Sequence, residues 1–484
     1  MKKFILPLFF SISLQCSAAL TAVFSHSTFN TANNSPYVET YLSIIGNSVE
    51  FKKNAENKYQ ASIEVSLAFL QNNEIVNFKK YNLLSEAIAD SNKLKPNFLD
   101  IQRFSLKNGN YVLEMQIKDN AFPDKVFKTS QAISVNFPTD SLAFSSIELI
   151  EKISKTEMPS VLTKSGFDLV PYVSSYFPDN LNEISFYSEI YNTNKKLGLD
   201  EKFIVSYYLE SFENKSKMME YGGFSRQTTS TINVVLGKLD ITKLPSGNYF
   251  LVLEIRDKLN QLVLADKLFF QRSNPDIGMT IADISSIVIE NTFVSQFKTA
   301  DTLRYLLKVL RPASTQLEAD FAMNLTKTDD YKSMQQYLLN FWQKRNAADP
   351  ELAWQNYVKD VEFVNKHFTA INRPGYTSDR GRVYLQYGAP DARTVFDNEP
   401  SSYPYEVWQY YKIDKRTNRR FVFGNFAMAG NDYKLIHSDA VGEVKDSRWQ
   451  QRLVKRNQQT RNFDTEKAND YFGGNINDNY DNPR

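Results

Sequence analysis

The 484-residue chain carries 57 Lys and Arg against 55 Asp and Glu, a formal net charge of +2. So balanced a charge gives no indication of a nucleic acid or an anionic membrane surface as partner. Cys16 is the only cysteine. A chain processed beyond it would therefore have neither disulfides nor a cysteine-ligated metal site. Aromatic residues make up 14% of the chain, which favours β-rich domains.

Residues 1–19 have the pattern of a secretory signal peptide. Lys2 and Lys3 precede an apolar run over 4–14, and the small residues 17–19 follow. The run is too short to span a bilayer, and no later apolar stretch is long enough to do so. We therefore expect an exported protein, either periplasmic or associated with the outer membrane. A lipoprotein acylated at Cys16 is the alternative, and otherwise membrane association would need a partner.

An internal repeat organises the first half. Gly109–Asp119 matches Gly247–Asp257 with the shared pattern G-N-Y-x-L-x-x-x-I-[K/R]-D, at an offset of 247 − 109 = 138 residues. In each copy Gly-Asn supplies a turn and the following residues alternate, which predicts a strand. Further strand candidates are 38–45, 59–69, 184–191 and 203–209. This spacing predicts two tandem antiparallel β-sandwiches, over 20–137 and 138–275.

Tandem sandwiches in exported proteins usually act as spacers or as binding modules. A carbohydrate-binding face is the alternative, and it would need exposed aromatic side chains. The candidates are Tyr187, Tyr191, Tyr207 and Tyr208, although core packing would explain each of them equally well.

Helical spacing replaces the period of two over 276–370. Helices are predicted over 302–310, 331–345 and 350–368, and Pro350 suits a first helical position. Strands then return over 371–445, at 382–387, 405–411, 421–426 and 433–437. Helices followed by turn-linked strands predict an α+β domain with helices on an antiparallel sheet.

The motifs of this region resemble those of the GWxTD-domain family. They are Phe341-Trp342-x-x-Arg345-Asn346, Val361–Phe368, Gly375–Asp391 and Pro404–Trp408, in that order along about 303–440. Tyr376 stands where the family has tryptophan, and Ser378 where it has threonine. The resemblance implies an exported protein of a Bacteroidota-type envelope. It implies no reaction, because the family is named for a motif.

The central motif has a catalytic and a structural interpretation. Asp379, Asp391 and Glu406 could supply paired carboxylates for acid–base work. Arginines 373, 380, 382 and 393 could clamp an anion. In the structural interpretation, Ser378 and Asp379 order a turn, while Arg380 and Arg382 pair with Asp391 or Glu406 across strands. For binding of a ligand or partner the candidate residues are Tyr376, Asp379, Arg380, Arg382, Asp391 and Trp408.

No cofactor or metal site is predicted. The three histidines, His26, His367 and His437, are widely spaced, and the chain has neither an H-E-x-x-H motif nor a phosphate-binding loop. Residues 446–484 are predicted to form a basic helix and a polar tail too hydrophilic to bury a core. In the alternative, that tail docks on a partner through Tyr471, Phe472 and Tyr480.

These patterns lead to an expected function. We expect an exported envelope protein that acts as a non-enzymatic interaction or assembly module, with β-sandwich spacers carrying a GWxTD-type domain and other envelope proteins as partners. The first alternative is an envelope hydrolase that uses the carboxylates of residues 375–406. The second is a glycan-binding protein.

Overall fold

The structure is a computed structural model that describes residues 20–90, 95–399, 402–413, 416–428, 430–446, 448–454 and 476–481. The predicted signal peptide, Cys16, Tyr471 and Phe472 lie outside these ranges. The chain divides into two compact units. The first comprises residues 1–174, 186–200 and 229–235, and the second comprises 175–185, 201–228 and 236–484.

Over residues 20–272 the described part of the chain consists mainly of antiparallel β-sheets, and β14 pairs with β20 in parallel over two residues. One short helix, α1 (Thr193–Leu197), interrupts them. The strands are β1 (Ala22–Phe29), β2 (Tyr37–Ile44), β3 (Lys52–Lys53), β4 (Tyr59–Gln60), β5 (Ser62–Gln71), β6 (Glu74–Leu84), β7 (Phe98–Ser105), β8 (Gly109–Asp119), β9 (Val126–Val135), β10 (Ala143–Phe144), β11 (Glu148–Lys155), β12 (Thr163–Lys164), β13 (Phe167–Pro171), β14 (Tyr176–Phe177), β15 (Glu183–Tyr191), β16 (Lys202–Ser211), β17 (Lys217–Thr228), β18 (Ile232–Asp240), β19 (Gly247–Arg256) and β20 (Leu262–Arg272).

The internal repeat is a repeat of sheet topology. In the first copy the strand order is β6-β5-β8-β9, and in the second it is β17-β16-β19-β20. Tyr111 pairs with Ile133 and Tyr249 with Phe270, so equivalent residues occupy equivalent positions. Side chains on alternate positions of β5 and β8 are buried, as the period of two predicts.

The shared Gly-Asn-Tyr has the same role in both copies. The Tyr111 hydroxyl donates to the Lys107 carbonyl at 2.8 Å, and the Tyr249 hydroxyl donates to the Pro245 carbonyl at 3.0 Å. Each tyrosine thereby ties its strand to the preceding turn. A Cβ on Gly247 would lie 3.0 Å from the Tyr249 hydroxyl oxygen, so a side chain there would crowd the ring.

A buried ionic cluster ties three strands of the first unit together. Lys164 of β12 lies 2.5 Å from a carboxylate oxygen of Glu39 on β2 and 2.6 Å from one of Glu148 on β11. Its ammonium group also lies 4.6 Å from the centre of the Phe29 ring. Buried charges in such a cluster are held because each has a partner of opposite sign.

The rest of the chain is helical first and then forms a sheet. Side chains just before the helices cap their N-termini. The Thr315 hydroxyl accepts a hydrogen bond from the Glu318 N–H at the start of one helix. The Asp349 carboxylate accepts one from the Leu352 N–H at the start of another, where Pro350 occupies the first helical position. The elements are α2 (Ala300–Val309), α3 (Gln316–Leu325), α4 (Tyr331–Arg345), α5 (Pro350–Phe368), α6 (Asp379–Tyr387), β21 (Ala392–Phe396), β22 (Tyr405–Ile413), β23 (Arg416–Gly424), β24 (Lys434–Ser438), α7 (Trp449–Leu453) and α8 (Ile476–Asp481).

The antiparallel sheet β21-β22-β23-β24 has apolar clusters on both faces. Trp408, Phe421 and Phe423 on one face join the core built by α2–α6. Val407 and Val422 on the other pack with residues of α7 and α8. The predicted fold class, multidomain and β-rich followed by α+β, is therefore confirmed. The individual domain boundaries stay predictions.

Two local predictions are wrong. Residues 382–387 form part of helix α6 and not a strand, because Ser378 caps this segment and Gly388 ends it at a φ of 83°. The alternation of Val383, Leu385 and Tyr387 also fits a helix that is covered from several sides. In the tail, residues 476–481 are helical, and Ile476 is buried in the cluster under the sheet.

We predict that Tyr249→Phe lowers the free energy of unfolding by about 1–3 kcal/mol, because the Pro245 carbonyl loses its donor. Urea unfolding followed by fluorescence would measure the change. The control is Tyr331→Phe, which removes an exposed hydroxyl and should leave stability unchanged. Equal stability of the two variants would contradict the proposed role of the tyrosine.

Candidate functional site

The GWxTD-like motif forms a tight turn and a helix cap. Gly375–Thr377 make a 3-10 turn between α5 and α6. The Ser378 hydroxyl donates to the Gly375 carbonyl at 2.7 Å and accepts from the Gly381 N–H at 3.0 Å. Threonine could make the same two contacts, so the hydroxyl is what this position requires.

Two glycines of the motif allow backbones to touch. A Cβ on Gly375 would lie 1.9 Å from the Val364 carbonyl oxygen of α5. A Cβ on Gly381 would lie 1.9 Å from the Gly375 carbonyl oxygen. Neither backbone oxygen can move without shifting a helix, so any side chain here would separate α5, the turn and α6.

Arg380 and Glu406 form the centre of the charged network. Both side chains are only 1% exposed, and their closest nitrogen and oxygen lie 2.5 Å apart. Glu406 also accepts hydrogen bonds from Arg393, at 2.9 and 3.0 Å, and from the Trp408 indole N–H at 2.8 Å. The Arg380 guanidinium lies 4.2 Å from the Tyr433 ring centre and donates to the Asn431 carbonyl at 2.7 Å.

These contacts set the protonation of Glu406. Burial alone would raise the pKa of this carboxyl group. The hydrogen bond from Arg393 and the charges of Arg380 and Arg393 outweigh it, so the pKa is lowered. Glu406 therefore stays ionised and cannot act as a proton donor near neutral pH.

Asp379 and Asp391 accept hydrogen bonds from backbone N–H groups and do not line a cleft. Asp379 accepts from the Leu435 N–H of β24 at 2.8 Å and from Arg373 at 3.1 Å. Asp391 accepts from the Tyr411 N–H of β22 at 2.6 Å. Each of the three candidate catalytic carboxylates is thus engaged in contacts with backbone N–H groups or with arginine and tryptophan side chains.

Arg382 has a partner that the sequence did not identify. It makes a bidentate pair with Glu443, with N–O distances of 2.7 and 2.8 Å, and Tyr387 donates to the same carboxylate at 2.9 Å. Glu443 lies in a loop after β24, and no local pattern marks it. Neither Asp391 nor Glu406 pairs with Arg382, so that part of the predicted pairing is wrong, while the Arg380–Glu406 pair is observed.

The histidines have ordinary structural surroundings. The His367 ring packs against Phe363 in a tilted arrangement with ring centres 4.4 Å apart, and the His437 ring stacks on Trp449 at 5.6 Å. Burial lowers the pKa of His437. His26 lies in β1. Across the described ranges, no group of three or more His, Cys, Asp or Glu could hold a metal ion, and no helix is long and apolar enough to cross a membrane.

A cleft of about 670 Å³ opens beside the motif. Its walls come from α2, α3, α6, the loop 442–444 and the hairpin tip at Phe212 and Glu213. Of the predicted binding residues, Tyr376 and Arg382 line it, whereas Asp379, Arg380, Asp391 and Trp408 do not. The structure therefore divides the predicted set into a structural network and a smaller cleft-facing group.

Glu213 lines the cleft with a carboxylate that is only partly hydrogen-bonded. One carboxylate oxygen accepts from the Asn248 side chain at 2.8 Å. The other oxygen is buried and has no hydrogen-bond partner among the described residues. Burial raises the pKa of this carboxyl group. No sequence pattern marks Glu213 as a cleft residue, because it reaches the cleft from a hairpin about 100 residues before α3.

The two sheet repeats differ in what covers their outer faces. In the second repeat, Tyr208, Phe250 and Val252 form a buried cluster with Phe212, and Val441 of the C-terminal domain packs on it. In the first repeat the register places Ala68, Val112 and Glu114 at the equivalent positions. Phe250 is 2% exposed, whereas Val112 is 43% exposed.

An apolar patch remains on the uncovered face. We call it the β5–β8 face, and its members are Leu70, Ile75, Phe78, Val112 and Ala132. Ile75 pairs with Leu70, which pairs with Val112, which pairs with Ala132 across four strands. Ile75 is 62% exposed and Phe78 55% exposed. Exposed apolar side chains gathered in this way mark interaction surfaces more often than scattered ones do.

Most of the aromatic residues predicted as candidates for glycan binding lie in the protein core. Tyr187, Tyr191 and Tyr208 are buried, and the hydroxyls of Tyr187 and Tyr191 both donate to Glu189. Three of the four candidates are thus unavailable for stacking on a sugar ring.

The family model of the GWxTD domain matches residues 282–453. No curated protein matches this chain. Among solved structures, red sea bream transglutaminase is 8% identical with a TM-score of 0.17, over 52% of this chain and 31% of that one. The fibronectin(III)-like modules of Clostridium thermocellum CbhA are 8% identical with a TM-score of 0.14, over 50% of this chain and 89% of theirs. The chain thus spans less than a third of the transglutaminase, and TM-scores this low carry no argument.

We predict that Arg380→Met destabilises the C-terminal domain by about 3–5 kcal/mol, because it leaves Glu406 buried beside one partially exposed arginine. Arg393→Met is the matched control. Arg393 is 42% exposed and its loss keeps the buried pair intact, but it removes two hydrogen bonds from the buried carboxylate, so we expect a smaller cost of about 1.5–3 kcal/mol. Urea unfolding of both variants would measure the difference, and equal costs would show that the buried pair is not the central contact.

The lowered pKa of Glu406 predicts an acid-sensitive contribution to stability. A group with a depressed folded-state pKa stabilises above its unfolded pKa of about 4.3, and this contribution is lost as the pH falls through the folded value. The melting-temperature gap between wild type and Glu406→Gln should therefore be largest near pH 7 and should shrink toward pH 3. A gap that is constant with pH would mean that the charge of Glu406 does not contribute.

Proposed function

We propose that this chain, a member of the GWxTD domain-containing proteins, is an exported envelope protein that acts as a non-enzymatic interaction or assembly module. The signal-peptide pattern of residues 1–19 supports export. In this proposal the second sheet repeat carries the GWxTD domain, and the first repeat meets a partner protein of the envelope.

The exposed β5–β8 face is the observation that carries the proposal. The equivalent face of the second repeat is apolar and is covered by the C-terminal domain of the same chain. The first repeat keeps the same topology and an apolar cross-strand row with nothing described upon it. A sheet face of this kind is suited to bind a protein surface of matching apolar character.

The charged network supports a role without catalysis. A hydrolase needs an acidic group that is free to exchange a proton with a substrate in a cleft. Asp379 instead accepts a hydrogen bond from β24, Asp391 accepts one from β22, and Glu406 pairs with Arg380 and Arg393. None of the three carboxylates lines the cleft. The contacts of these three carboxylates therefore support the non-enzymatic proposal over a hydrolase that uses them.

Site-specific photocrosslinking would test this role. A photoreactive benzoylphenylalanine would replace Phe78 in the full-length protein, expressed in cells that encode it. The control places the same group at Leu259, which is 72% exposed in a turn. We expect a discrete crosslinked envelope protein from position 78 and not from position 259.

A third variant tests whether the crosslink depends on the apolar side chains of the β5–β8 face. Ile75→Lys in the Phe78 photoprobe background should abolish the product, because a charge in the row opposes burial of the face. A product that forms equally from both probe positions, or that survives Ile75→Lys, would contradict the proposed surface. Cell fractionation with and without residues 1–19 would test export separately.

A further inference from the structure

The cleft beside the motif has both polar and apolar walls. Its volume of about 670 Å³ falls within the range of sites that bind small ligands or a few residues of peptide. Apolar side chains from α2, α3 and the neighbouring loops form part of its walls, among them Phe212, Leu307, Ala322 and Met323. Such walls would take up an apolar side chain or body.

Two of the basic side chains that line this cleft have no acidic partner in the described ranges. Lys308 and Arg311 line it, and within the described part of the chain neither makes an ion pair or a side-chain hydrogen bond. The third cation, Arg382, is neutralised by its bidentate contact with Glu443. The cleft therefore has two solvent-exposed positive charges without a partner among the described side chains, which favours an acidic ligand.

The buried oxygen of Glu213 adds a second requirement. It is an acceptor without a donor, in a residue that lines the same cleft. A buried acceptor is satisfied by an N–H or O–H group of whatever occupies the space beside it. A suitable ligand must thus combine an N–H donor, an acidic group and an apolar part.

We propose that the cleft binds a short acidic peptide segment, whose carboxylate meets Lys308 and Arg311 and whose backbone N–H meets Glu213. Peptides carry all three required features in a few residues. A fatty acid lacks the N–H donor, and a sugar phosphate lacks the apolar body. The site goes beyond the β5–β8 face of the proposed function and does not depend on it, so the failure of either test leaves the other standing.

Selection from a phage-displayed library of random heptapeptides on the immobilised full-length protein would test the proposal. We expect enriched sequences that contain Asp or Glu next to Leu, Ile, Phe or Met. Fluorescence anisotropy of the most enriched peptide would then measure its Kd for each variant. The double variant Lys308→Glu, Arg311→Glu should weaken binding at least about tenfold, because two charge-assisted contacts become repulsive.

The matched control is Lys332→Glu, Lys359→Glu, which changes the net charge equally at exposed helix positions outside the cleft. It should bind the peptide as wild type does. Glu213→Gln should weaken binding of the same peptide while the protein stays folded, as circular dichroism would show. Enrichment without acidic residues, no enrichment at all, or equal weakening by both double variants would overturn the proposal.

Discussion

The C-terminal domain depends on one buried contact, the pair of Arg380 and Glu406. It joins the first turn of α6 to the middle of the sheet at β22, with both side chains nearly inaccessible. Removing two charges from water is costly, and hydrogen bonds to the remaining polar groups of a buried pair offset part of that cost. Arg393, Trp408 and Asn431 supply such bonds, although the Nε of Arg380 has no hydrogen-bond partner among the described residues. This requirement explains why arginines and carboxylates are so dense in the motif without forming an open site.

The two repeats show one scaffold used in two environments. The tyrosine that donates to the turn is retained in both, because that bond stabilises the strand wherever the sheet is placed. The outward positions are not retained. Where the C-terminal domain covers the sheet they are Tyr208, Phe250 and Val252, and where it does not they are Ala68, Val112 and Glu114. The residue types on the outer face thus depend on what packs against that face, whereas those on the inner face are set by the core of the fold.

The sequence was most informative where the determining contacts are local. Tyr331–Arg345 and Pro350–Phe368 were predicted with the observed bounds, because apolar stripes, Pro350 and the basic last turn are all short-range signals. Residues 382–387 were misread, because six residues of alternation outweighed the Ser378 cap and Gly388. The partner of Arg382 was missed since Glu443 lies 61 positions away. The cleft could not be foreseen, because its walls come from segments between 212 and 444 that only the fold brings together.

The charged residues of the motif and those of the cleft differ in whether they have partners, which indicates a structural role for the motif and a binding role for the cleft. Every charge at the centre of the motif is paired within the folded protein, so the network stabilises the fold without any ligand. The cleft keeps a half-satisfied Glu213 and two unpaired cations, although an unmet buried acceptor costs about 1–3 kcal/mol. Sequences are locally consistent except where function requires otherwise. Replacing Glu213 by an apolar residue would remove that cost, and an occupant of the cleft that supplies the missing donor would offset it.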